Sequence, residues 1–164
     1  MTKNKQTIFS KDVAKKKINV VREFDAPLIQ VWQAWTESDL LDKWWAPRPW
    51  KAVTKTMDFS EGGFWLYAMT SPEGEKHWCR LDFKKIVPNK SFTVDNFFCD
   101  ENGNKNNDFP VMNWTNEFRQ TDTGTKVDVE ITFSNEADLE KIVQMGFEEG
   151  FKMGLGNLDE LLAK

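Results

Sequence analysis

The chain has 164 residues, 40% apolar and 29% charged, with a formal net charge of −4. That length fits one domain able to bury about two-thirds of its unfolded surface without a disulfide or structural metal. The acidic balance argues against a broad nucleic-acid or anionic-membrane footprint. No apolar run approaches the roughly 20 residues that span a bilayer. The opening MTKNKQTIFSKDVAKKK is polar and basic, without the apolar stretch of a secretory signal. The expectation is a cytoplasmic protein in which Cys79 and Cys99 are reduced. Their spacing fits neither a disulfide framework nor a zinc site.

Residues 1–14 lack periodicity and read as a loosely ordered segment that Ile8 and Phe9 tack onto the surface; residues 15–164 read as one domain. The first strand covers 16–24, where Ile18, Val20 and Arg22 alternate against Asn19, Val21 and Glu23, with the inward side left open. Asp25-Ala26-Pro27 stops it and opens a helix, since proline loses nothing in a first turn. Leu28, Val31, Trp32 and Trp35 share one face of that helix. Thr36 or Ser38 caps a second short helix, which has Leu40, Leu41, Trp44 and Trp45 on its apolar side. Ala46-Pro47-Arg48-Pro49 ends it, because proline cannot continue a helix.

From residue 50 the period becomes two, giving strands at 51–59, 63–71, 76–87, 90–99, 111–121 and 125–133 separated by Gly-, Pro- and Asn-rich turns. The short connections favour an antiparallel meander. The last strand alternates most clearly, with Val127, Val129, Ile131 and Phe133 against Lys126, Asp128, Glu130 and Thr132. Ser134 then caps a long helix over 135–163. Its apolar stripe includes Leu139, Ile142, Phe147, Phe151, Leu155 and Leu158. Glycines 146, 150, 154 and 156 each cost it about 1 kcal/mol. Either they admit a close neighbour or they mark a kink or break. The order β-α-α-β6-α is an α+β arrangement, and the economical solution is a sheet curled around the last helix.

Phe24-Asp25-Ala26-Pro27, Val31-Trp32-Gln33-Ala34-Trp35-Thr36, Leu40 and Trp44-Trp45-Ala46-Pro47 carry a resemblance to a known family. Gly62-Gly63-Phe64-Trp65, Pro72-Glu73-Gly74, Gly150, Leu155, Leu158 and Leu161-Leu162 extend it over about 15–163. The chain resembles the START-like (SRPBCC) helix-grip superfamily, in the branch named for the carboxy-terminal domain of the activator of heat-shock-protein-90 ATPase. The resemblance implies a curved antiparallel sheet gripping a long carboxy-terminal helix, two short helices after the first strand, and a cavity between sheet and helix. Members are associated with hydrophobic ligand binding, co-chaperone action or stress roles. The co-chaperone has a further amino-terminal domain for which this chain has no room, which favours a stand-alone ligand binder.

On the strand registers, Trp65, Tyr67 and Met69 point together, as do Cys79, Leu81 and Phe83. So do Phe92, Val94, Asn96 and Phe98, and so do Met112, Trp114, Asn116 and Phe118. With Met145, Phe147, Phe151 and Met153 these residues line an apolar pocket or fill a packed core. Asn96 and Asn116 are the sharper signal, because a buried amide needs partners: backbone, each other, water or ligand. The candidate ligand-binding set is Trp65, Tyr67, Met69, Cys79, Leu81, Asn96, Phe98, Trp114, Asn116, Phe118, Met145, Glu149 and Met153. No catalytic, metal or cofactor set stands out. A reaction would need Tyr67, the lone His77, Arg80 or Glu149 to converge. Trp44, Trp45 and Trp50 read as exposed, forming a protein contact or a pocket lid. The leading reading is a binder of a small hydrophobic or amphipathic molecule. The alternatives are an enzyme using the same cavity and a co-chaperone or interaction module, and a homodimer is compatible with each.

Overall fold

The computed structural model describes residues 7–163. Twelve elements follow in order: β1 (Ile8–Asp12), β2 (Lys17–Phe24), α1 (Leu28–Thr36), α2 (Ser38–Trp44), β3 (Lys51–Met57) and β4 (Phe64–Thr70), then β5 (Lys76–Val87), β6 (Ser91–Cys99), β7 (Met112–Gln120), β8 (Thr125–Thr132), α3 (Glu136–Gln144) and α4 (Phe147–Leu162). All eight strands form one antiparallel sheet in the order β1-β2-β8-β7-β6-β5-β4-β3. Consecutive strands from β3 to β8 are hairpin neighbours. The two short helices carry the chain from β2 to the far edge. Bulges at Thr54–Thr56 and Phe83–Lys85 add twist to the β3–β4 and β5–β6 pairs. The sheet is curved, with the helices packed in its concavity.

The two-residue period decides which face is buried. Ile18, Val20, Arg22 and Phe24 of β2 turn inward, beside Val127, Val129 and Ile131 of β8. Each large apolar side chain so buried contributes about 1.5–3 kcal/mol. Arg22 is the exception in kind. It is 4% exposed, lies over the Phe24 ring and pairs with Asp159 of α4. It also donates to the Glu23 carbonyl over 2.6 Å and to Thr7 Oγ1 over 3.1 Å. Arg22 therefore anchors the end of α4 to the sheet.

The structure corrects four local expectations. The segment read as loosely ordered contains β1, whose residues Ile8–Asp12 pair with Lys17–Val21; residues 1–6 lie outside the described residues. The carboxy-terminal helix is not continuous. Gly146 adopts φ +88°, a left-handed conformation that glycine takes without a Cβ penalty, and it separates α3 from α4. Asn135, not Ser134, caps α3, its side chain accepting from Asp138 N over 2.8 Å. Glu37 occupies the N-cap of α2 without a side-chain bond, while Thr36 Oγ1 donates back to Trp32 O over 2.8 Å.

Candidate functional site

Strands β4, β5 and β6 bring three polar groups side by side on the concave face. Tyr67 is the register partner of Cys79, which also pairs with Phe98; Asn96 stands two residues before Phe98 and opposite Leu81. The Gly146 break redirects the chain so that Phe147 and Phe151 of α4 face these strands. The result is a cavity of about 200 Å3. Trp45 and Trp114 flank it, and Met145, Phe147 and Phe151 cover it. No charged side chain lines it.

Trp45 Nε1 donates to the Tyr67 hydroxyl over 2.7 Å, and that hydroxyl also faces the Cys79 thiol, its partner across the strands. Burial raises Tyr67 well above the ordinary tyrosine value. Burial likewise pushes the Cys79 thiol up to about 12. Both groups are neutral around pH 7. The Asn96 side chain is 7% exposed and makes no hydrogen bond among the described residues. It is the polar group of this wall with unspent donors and acceptors.

Of the sequence-derived set, the cavity gathers Tyr67, Met69, Cys79, Asn96, Phe98, Trp114 and Met145. Trp65 stacks on Tyr67 at 4.1 Å from outside the cavity. Trp65, Leu81 and Asn116 line a separate void of about 10 Å3, with Trp114 forming the wall between the two spaces. Phe118 packs into the core against Trp32 and Trp35. Glu149 is exposed and Met153 is 48% exposed, and neither reaches the cavity. Both lie off the stripe of Phe147, Phe151 and Leu155 that α4 turns inward. The expectation of three exposed tryptophans also fails. Trp44 is 1% exposed and donates to Ala34 O over 2.8 Å, and Trp45 and Trp50 are half-buried. Ile142 of the helical stripe and the glycines 146 and 150 also line the cavity, together with Pro47 and Phe97, which no sequence period announces.

The residues considered for acid–base chemistry do not converge. His77 is exposed, with Nε2 2.6 Å from Glu75 Oε2. Arg80 lies on the opposite face of β5, paired with Asp82 at 2.6 Å and set over the Phe64 ring. His77 and Trp50 border an outer cleft of about 430 Å3 that shares Pro47, Met69, Phe98 and Met145 with the cavity, so those four residues form its mouth. A larger groove of about 680 Å3 beside α2 has a mixed-charge rim of Asp42, Lys43, Arg48, Lys51 and Glu160, and its buried amide, Asn157, is already bonded to Ala46 O. Among the described residues no cluster of three His, Cys, Asp or Glu could hold a metal, and no helix is long and apolar enough to cross a membrane.

The profile of the family described as Activator of Hsp90 ATPase homolog 1-like protein matches residues 25–163. A solution structure of a protein from Arthrobacter aurescens is 31% identical, with a TM-score of 0.90, over 95% of this chain and 91% of that one. A crystal structure of a protein from Mycobacterium smegmatis is 28% identical, with a TM-score of 0.87, over 96% and 97%. A crystal structure of a protein from Nitrosomonas europaea is also 28% identical, with a TM-score of 0.78, over 92% and 96%. No curated protein matches the chain.

Proposed function

The chain belongs to the Activator of Hsp90 ATPase homolog 1-like family, and from that premise we propose that it binds a small hydrophobic or amphipathic molecule between the sheet and α4. The observation that carries this reading is the cavity itself. It is a hollow of about 200 Å3 with aromatic and methionine walls, opening through a mouth at Pro47, Met69, Phe98 and Met145. Apolar walls with a few placed polar groups are the usual form of a small-molecule site. The methionines adapt their shape to the occupant. An interaction module built on residues 44–51 has less support, because Trp44 and Ala46 are buried in the chain's own core.

Native mass spectrometry of gently purified protein tests the reading. A stoichiometric small-molecule adduct, released on denaturation, is the expected result. The control is Gly150→Leu. Gly150 lines the cavity, and a Cβ there meets only Pro47, at 3.8 Å, so the longer side chain grows into the hollow. Retention of the same adduct by this variant places the ligand elsewhere and overturns the proposal.

A further inference from the structure

Resting on that reading, we infer that the buried end of the ligand is an uncharged single ring bearing an amide-type group, and that the cavity rejects carboxylates. Size comes first. An apolar cavity of about 150 Å3 holds benzene. A hollow of about 200 Å3 takes a ring with a short substituent.

Charge comes second. A buried carboxylate is tolerated only beside a cation or a dense set of donors. The walls contain neither Lys, Arg nor His. A cation fares no better, since the walls contain no carboxylate and the two titratable groups, Tyr67 and Cys79, keep their protons.

Hydrogen bonding comes third. Asn96 offers an N–H donor and a carbonyl acceptor from one buried side chain, with neither used by the protein. Only a ligand group carrying both an acceptor and a donor in one plane satisfies both ends of it. A carboxamide or lactam has that pair. A carboxylate has acceptors alone and leaves the Asn96 carbonyl unpaired. An ether or hydrocarbon leaves still more unmet.

The test is calorimetric or NMR titration of the full chain at pH 7 with four ring probes: ethylbenzene, benzamide, benzoate and benzylammonium. Benzamide is expected to bind about 10-fold or more tighter than benzoate or benzylammonium, the worth of one or two satisfied buried hydrogen bonds. Asn96→Leu should weaken benzamide about 10-fold and leave ethylbenzene within about 2-fold. Met69→Lys, at the half-buried mouth, adds a cation without touching Asn96 and should raise benzoate affinity about 10-fold. Benzoate or benzylammonium binding as tightly as benzamide overturns the inference, as does Asn96→Leu weakening ethylbenzene equally. Failure of all four probes, ethylbenzene included, instead removes the cavity reading on which the inference rests.

Discussion

Trp45 Nε1 donates to the Tyr67 hydroxyl across 2.7 Å, tying the residue that ends α2 to the middle of β4 at the cavity edge. The Tyr67 ring is separately held by stacking on Trp65 at 4.1 Å. Tyr67→Phe keeps the stack and removes the hydroxyl, with its contacts to Trp45 and the Cys79 thiol. The half-buried indole N–H then has no partner, which costs about 1–3 kcal/mol. Urea denaturation should show a lower midpoint with an unchanged slope. A loss below about 0.5 kcal/mol would mean that the indole finds another acceptor.

Two glycines of α4 should respond in opposite ways to the same change. A Cβ at Gly154 would stand 3.3 Å from both the Trp44 and the Trp45 carbonyl oxygens, whereas one at Gly156 meets nothing within 4 Å. Gly156→Ala should therefore stabilise the chain by about 1 kcal/mol through helix propensity. Gly154→Ala gains the same propensity but presses on the end of α2, so its net gain should vanish or reverse. Thermal unfolding of the two variants checks this. Equal stabilisation would show that α2 yields freely.

The glycines also show where the sequence is legible. The alternation Val127, Val129, Ile131 marks β8 because one face is buried and the other wet, and the same contrast locates the other strands to within a residue or two. β1 carries no such contrast. It is an edge strand held by backbone pairing to β2, and backbone bonds leave no trace in composition. Four glycines fall within eleven positions of the last helical stretch, yet only Gly146 takes a positive φ. Tertiary packing makes that choice, so the break could not be assigned from spacing. The helical stripe through Phe147 and Phe151 does face the cavity, whereas Met145, Glu149 and Met153 lie off that stripe, and of these three Met145 alone lines the cavity. Strand alternation puts Tyr67, Cys79 and Asn96 on inward positions, and the sheet register sets them side by side.

Cys79 gives the fold a specific alkaline weakness. Burial is the main cause that lifts its thiol from 9.0 to about 12. Below pH 9 the thiol is neutral in both folded and unfolded chains. Above that, the unfolded chain releases the proton while the folded chain keeps it until about pH 12. Stability is thus fully present below pH 9 and falls by about 1.4 kcal/mol per pH unit across the window. Tyr67, also raised by burial, adds to the fall above its ordinary value of 10.0. Urea midpoints from pH 7 to 11 should drop for the native sequence and drop less steeply for Cys79→Ala. Parallel curves would show that the thiol is no harder to ionise in the folded chain.

Asn116 has a different destiny from Asn96 although both point inward. Its Oδ1 is buried without a hydrogen-bond partner among the described protein atoms, as are Trp35 Nε1 and Trp114 Nε1. All three side chains line the same void of about 10 Å3. That is too small for an organic ligand and about the space of one water, and two donors with one acceptor are a sufficient set for it. A high-resolution crystal structure is expected to show a single ordered water within hydrogen-bond reach of the three atoms. Asn116→Leu fills the void and strands both indole N–H groups, so it should cost about 1–3 kcal/mol despite the gain in apolar surface. A variant as stable as the native chain would show that the void is dry and the amide unpaired. The expected loss would place Asn116 in the architecture behind the cavity wall, and leave recognition to Asn96.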